Sequence, residues 1–408
     1  MKREEHSPSS GRGQPSRGRR PCAGPPPQRS SLDELSPGRR PLGVALSGGG
    51  VRATLTGLGA LRLLSDIGRL GDVRHLTSVS GGSIVGGLTA LKWNGIREAG
   101  FDPRAFDELV TLPLLELLTG RSLQRELYRR SWRTLSPRIS RTDLLAGRLA
   151  QSLFGDTAME ELATGVWFEI NAANLTAGTR FRFTQDLVGD YITGSVASSS
   201  YPVRVADAVA WSCAVPGLFN STVLNDIVLP CQQEVGVPEL VDGGVYDNLG
   251  SDALKVRPEM PGLFCVVVNA GGTFEPSPRV RRVPLVGELW RSNSVLHQQV
   301  ASVRSRSLFE KFGYEDAASI DGCLFTLRSP YPVGVAAIGR DGLEEFAVAN
   351  PGESDRGVEE LANYPTTFEK VERATALRLI YRGWWLAGAL LCAYAPEFVA
   401  EIPTYHAP

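Results

Sequence analysis

A chain of 408 residues with 42% hydrophobic content can bury one large core or two smaller ones. The net charge of −1 hides an asymmetry: residues 1–40 carry nine Lys/Arg against four Asp/Glu, a +5 stretch that leaves −6 for the rest. Residues 1–39 are rich in Ser, Gly, Pro and Arg with few apolar side chains; this composition predicts a disordered tail and lacks the apolar run of a secretory signal.

Order is expected from about residue 40, in one domain reaching residue 408. Leu42–Leu46 is an apolar run that stops at Ser47 and three glycines, as a buried strand feeding a tight turn would. Thr54–Leu70 spaces Leu55, Leu58, Leu61, Leu64 and Ile67 as a helix does, with Gly68 and Gly71 as stops. Leu76–Val79 predicts a second strand, a Ser/Gly turn follows, and Ile84–Trp93 predicts a second helix. Strand, glycine turn, helix, repeated, is the pattern of an α/β domain with a parallel sheet.

Residues about 95–160 predict a helical insertion. Within it Arg121–Arg148 holds eight arginines interleaved with Leu123, Leu127, Tyr128, Trp132 and Leu135. Val166–Ala172 and Thr179–Thr184 predict strands joined by a polar turn, and Leu263–Asn269 a further buried strand. Trp290–Phe312 predicts a long polar helix and Phe368–Leu391 a closing one. The apolar run Gly383–Pro396 is too short to span a bilayer and suits a buried or interfacial helix. The six cysteines lie far apart with no CxxC pair, which suits free thiols in a reducing, cytoplasmic setting better than disulfides or a zinc site.

Three short stretches carry chemistry. Ser78–Ser83, SVSGGS, lies between a strand and a helix, where a sharp turn can push the Ser80 hydroxyl outward as a nucleophile. The same turn could instead bind phosphate at a helix start. Ser47–Arg52, SGGGVR, offers several backbone N–H groups to one anion. Gly48, Gly50 and Ala53 also fit the dinucleotide pattern, but no carboxylate ends the next strand as that reading requires. Leu240–Gly244, LVDGG, ends an apolar strand in Asp242, a candidate general base or an ordinary turn residue.

Together, in this order, the three stretches resemble the patatin-like phospholipases. Ala210–Phe219, AWSCAVPGLF, and Val245–Asn248 extend the resemblance, which covers about residues 42–269. It implies a three-layer α/β sandwich with a mainly parallel central sheet. It also implies a lipid acyl hydrolase with a Ser80–Asp242 dyad, and an oxyanion hole drawn from Gly48, Gly49, Gly50 and Gly81. Arg52 matches the family's basic position and would support the loop or the substrate. Ser78 departs from the family, which has glycine there.

A histidine base is disfavoured, since His6, His75, His297 and His406 are all poorly placed for Ser80. The resemblance implies no metal or cofactor. A neutral-lipid esterase or a catalytically silent lipid-binding member are the competing readings. The expected partner is membrane lipid at an anionic bilayer surface, met peripherally through the arginine cluster and the basic tail. No nucleic-acid-binding motif accompanies those charges.

Overall fold

The computed structural model describes residues 22, 30–120, 139–254, 260–272, 286–312, 321–329 and 340–408. Among the described residues ten strands form one sheet in the order β10-β9-β1-β2-β3-β4-β5-β6, with β8 (Glu239–Asp242) also on β3 and β7 (Thr222–Val223) on β8. The parallel part comprises β10 (Asp321–Thr326), β9 (Phe264–Asn269), β1 (Leu42–Leu46), β2 (Val73–Val79) and β3 (Trp167–Asn174). Beyond β3 the pairing turns antiparallel through β4 (Thr179–Thr184), β5 (Leu187–Asp190) and β6 (Gly194–Ala197). Every residue of β1 and β2 is buried, which is why the apolar run of β1 reads as a strand covered on two faces; β2, with Arg74, His75, Thr77 and Ser78, starts three residues before the expected Leu76.

Alternation along β1 and its neighbours sorts two cores. Val44 and Leu46 of β1, Val266 and Val268 of β9, and Phe325 of β10 face the larger one. That core is completed by helix α1 (Gly50–Asp66), helix α2 (Gly81–Glu98) and the closing helix Arg373–Tyr394. Ala45, Val267 and Leu324 face the other way, onto Leu249 and Leu254 and onto Leu308, which lies in the helix Val286–Lys311. Helix, sheet and helix make the three layers that the sequence predicts. Trp384 and Trp385 are fully buried in the closing helix, so they are core. Among the described residues, no helix is long and apolar enough to cross a membrane.

The boundary at residue 40 moves. Ser30 donates through N and Oγ to Asp186 (3.0 Å each), and its carbonyl accepts from Trp167 Nε1 (3.1 Å). Leu32 bridges to Gly165, and Arg39 pairs with buried Asp72 at 2.9 Å. Polar anchoring on the sheet's rim, which composition does not register, fixes residues 30–40 to the domain. The rest of the predicted tail, Cys22 apart, lies outside the described residues.

The cysteine expectation is corrected. Cys22 and Cys231 form a disulfide, while Cys213, Cys265, Cys323 and Cys392 are buried free thiols. Both partners dock on one turn: Cys22 N–H donates to Tyr191 O (3.0 Å) and Cys231 N–H to Thr193 O (2.9 Å). Two residues 209 positions apart meet through the fold, so spacing alone could not reveal the pair.

Where α1 crosses the closing helix, backbones touch. A Cβ on Gly59 would stand 2.0 Å from Ile380 O, and one on Gly383 would stand 2.1 Å from Thr56 O. Glycine to alanine in an exposed helix ordinarily stabilises by about 1 kcal/mol. At this crossing the sign reverses, because the new methyl must push two helices apart. Gly383→Ala is expected to lose about 1–3 kcal/mol in urea unfolding. Gly147→Ala, in the helix Arg141–Leu149 with open space about it, should instead gain up to about 1 kcal/mol.

Candidate active site

β3 has two edges, and β4 occupies one of them over Glu169–Asn174. Two strands share the other. β2 runs parallel to β3 up to Val79, opposite Asn171, and β8 (Glu239–Asp242) runs antiparallel down to Asp242, opposite Ala172. β2 and β8 therefore meet end to end at adjacent residues of β3. Ser80 follows the last residue of β2 and Asp242 is the last of β8, so the topology sets the two residues head to head.

Ser80 is the N-cap of α2, at φ 51° and ψ −124°. Only Ser80 and Phe101 among the described non-glycine residues have positive φ, a conformation that costs about 1–3 kcal/mol and persists only where surroundings impose it. The imposing contacts surround it. Ser80 N–H donates to Ser212 Oγ (2.8 Å), Ser83 N–H donates to Ser80 O (2.8 Å), and Thr54 Oγ1 donates to Gly81 O (2.7 Å). Ser78, the departure from the family's glycine, is buried in β2 and donates to Glu169 O (3.3 Å). Gly86 makes its room, since a Cβ there would stand 3.0 Å from Ser78 Oγ.

Asp242 is buried. Its Oδ1 accepts from Gly244 N–H (2.7 Å), and its Oδ2 is buried without a hydrogen-bond partner. Burial raises its pKa to about 6, while the neighbouring Ser80 hydroxyl and the Gly244 N–H pull the other way. The Cys213 thiol lies in the same place, pushed well above its ordinary pKa by burial and by the Asp242 charge.

The glycine loop lies against the elbow at backbone distance: a Cβ on Gly81 would stand 2.1 Å from Gly50 O. Gly49 and Gly50 adopt φ 143° and 61°, which glycine alone visits freely. Gly49 caps α1, and Gly50 and Gly81 open α1 and α2, positions whose N–H groups have no intrahelical acceptor. Gly48 differs from the expectation. Its N–H donates to Asn248 O (2.9 Å), so it is not available to an oxyanion and ties the loop to the segment after Asp242.

Arg52 is buried and donates to Ala270 O (3.0 Å), Ala362 O (3.1 Å), Tyr364 O and Thr366 Oγ1 (3.1 Å). Burial lowers its pKa to about 10. Its fork joins the loop after β9 to the segment 362–366, which favours support of the structure over contact with a headgroup. A cavity of about 470 Å³ opens here, lined among others by Gly49, Arg52, Pro216, Asp242, Asn248 and Tyr364.

Of the histidines, His75 lies buried in β2 with its Nε2 3.4 Å from Glu169 Oε2 and its ring edge-on to Trp167, both on β3. His406 is near Asp66, His297 is in the helix Val286–Lys311, and His6 lies outside the described residues. The arginines from Arg121 to Arg138 also lie outside the described residues. Sequence reasoning missed Ser212, Asn171 and Asn248 as partners of the elbow and loop. Ser212 and Asn248 lie inside the blocks Ala210–Phe219 and Val245–Asn248, whose resemblance signals a place and no role.

The sequence matches the family model described as patatin-like phospholipase over residues 44–255. No curated protein matches it. Human GIVD cytosolic phospholipase A2 is a similar solved structure, with a TM-score of 0.50 and 15% identity, covering 88% of this chain and 63% of that one. The same human enzyme in complex with methyl gamma-linolenyl fluorophosphonate gives a TM-score of 0.46 at 16% identity, over 88% of this chain and 59% of that one. The chain thus spans about three fifths of these structures' length. At such identities the likeness concerns the fold.

Arg52→Lys removes the fork that joins three carbonyls while keeping the charge. It is expected to destabilise by about 1–3 kcal/mol, read as a lower urea midpoint. An unchanged midpoint would show that the buried fork does not hold the loop.

Proposed function

The chain belongs to the patatin-like phospholipase family, and from that premise we propose that it is a lipid acyl hydrolase using Ser80 as nucleophile and Asp242 as general base. The observation that carries the reading is the end-to-end meeting of β2 and β8, which sets a strained serine beside a buried carboxylate whose charge the Ser80 hydroxyl favours.

Ser80 Oγ attacks the acyl carbonyl of the lipid ester while its proton passes to Asp242 Oδ2. The oxyanion is held by N–H groups of Gly49, Gly50 and Gly81, which act where charge develops. Collapse of the tetrahedral intermediate expels the alcohol part, which takes the proton back from Asp242 and leaves Ser80 acylated. Asp242 then accepts a proton from water, the hydroxide attacks the acyl carbon, and Ser80 recovers its proton as the fatty acid leaves. The cycle needs one base with a pKa below the working pH and close to it, which burial of Asp242 supplies.

Ser80→Ala should abolish fluorophosphonate labelling and ester hydrolysis in a folded protein. Asp242→Asn should lower kcat by about 10²–10⁴. Labelling that survives Ser80→Ala would overturn the assignment.

The pH dependence follows from the same carboxylate. The base must be ionised, so activity is present above its pKa and is lost as pH falls through it. The kcat/KM profile is expected to show an acid limb centred near pH 6, without a histidine contribution: His75→Gln should leave the limb in place. A limb near the ordinary carboxylate range would argue against a buried base.

A further inference from the structure

Ser212 ends the helix Val205–Ser212 and is fully buried. A hydroxyl has one proton to give and two lone pairs to offer. At Ser212 all three are engaged. Its Oγ donates to Asn171 O (2.6 Å), an oxygen with no proton of its own, which fixes the direction of that bond. Its lone pairs accept from Ser80 N–H (2.8 Å) and from Ser83 Oγ (2.9 Å). With the Ser212 proton spent on Asn171, Ser83 must be the donor in the last bond.

The backbone of Ser212 reaches the other half of the site. Gly243 N–H donates to Ser212 O (3.2 Å), and Asp242 N–H donates to Ala214 O two residues on (2.9 Å). One residue is thus bonded through its side chain to the backbone of Ser80 and through its carbonyl to the residue after Asp242. Its third partner, Asn171, lies on β3 opposite the end of β2, where the two strands meet.

Resting on the Ser80–Asp242 reading above, we infer that Ser212 is a positioning residue that sets the separation and orientation of nucleophile and base. The side-chain bond to Ser80 N–H holds the elbow in its positive-φ conformation. The same bond occupies the Ser80 N–H, which leaves oxyanion stabilisation to the glycines. Loss of the hydroxyl removes the acceptor for two donors and lets the elbow relax away from Asp242.

The test compares Ser212→Ala, Ser212→Thr and Ser212→Cys with wild type on p-nitrophenyl butyrate, with fluorophosphonate labelling rates and melting curves for each. Ser212→Ala is expected to lower kcat and the labelling rate about ten- to hundredfold, since a small misplacement of reacting groups costs that much, with KM unchanged within about twofold. Ser212→Thr keeps the hydroxyl and should stay within about fivefold of wild type. Ser212→Cys, close in shape but a weak acceptor, should behave as alanine does and serves if the alanine variant does not fold. A folded Ser212→Ala or Ser212→Cys with wild-type kcat and labelling rate would overturn the inference. Labelling retained by Ser80→Ala would instead sink the reading of the dyad itself.

Discussion

Everything at the candidate site depends on one edge of β3 being divided between two strands. A strand offers two rows of hydrogen-bonding groups, and here one row is given to β4 over Glu169–Asn174. The other is shared, so that β2 arrives from one direction and β8 from the other. Neither can extend without displacing its counterpart, so both chains must leave the sheet at the same place. β2 turns away through the Ser80 elbow into α2, and β8 turns away through Gly243 and Gly244. The residues at those two departures face one another because of backbone pairing, before any side-chain contact is considered.

Turning both chains within one small space forces backbone against backbone, and glycine makes that tolerable. Gly81 packs on Gly50, Gly82 on the carbonyls of Leu46 and Ser47, and Gly243 on Asn171 O, each so close that a Cβ would overlap an oxygen. The glycines of the loop and the elbow are thus first a packing requirement of the divided edge. The free N–H groups at Gly49, Gly50 and Gly81 follow from the same geometry, since each stands at a helix start. Gly50 and Gly81 belong to both sets, so the close packing and the proposed oxyanion hole would draw on the same residues.

Two central parallel strands are legible because they are unbroken apolar runs: Leu42–Leu46 and Phe264–Asn269 lie within one residue of expectation, whereas β2 begins three residues before the expected Leu76 with the polar-bearing Val73–His75, and β10 has no counterpart in the expectations. Helix starts were less visible. α1 and α2 begin at Gly50 and Gly81, several residues before the first periodic leucine or isoleucine, because their first turns are glycine held by tertiary contacts and carry no propensity signal. The glycine loop, the Ala210–Phe219 block and the Asp242 stretch line one cavity, yet their spacing could not show that Gly48 N–H is already taken by Asn248 or that Arg52 is spent on three carbonyls and the Thr366 hydroxyl. Those are facts of partnership, and partners such as Ala362 and Tyr364 lie three hundred residues away in a segment without a motif. The Cys22–Cys231 pair escaped for the same reason.

The electrostatics of Asp242 join fold to proposed chemistry. Its pKa of about 6 stands about two pH units above the ordinary value of 3.8, because burial disfavours the charge more than Ser80 and Gly244 N–H favour it. A folded-state pKa raised in this way means that the folded protein binds the proton more tightly than the unfolded chain does. Stability is therefore drawn down as pH rises from about 4 through about 6, by about 3 kcal/mol in total. At pH 7 the carboxyl is still about nine-tenths ionised, so the penalty is carried under the conditions where a base is needed. The buried Oδ2, which accepts no hydrogen bond of ordinary geometry and has little beyond the neighbouring Ser80 hydroxyl to favour its charge, is the local form of that penalty. In the proposed mechanism a proton arriving from Ser80 would satisfy it. The step that the mechanism requires is the step that relieves the site's own unfavourable electrostatics, and the divided edge of β3 holds the two residues together against that cost.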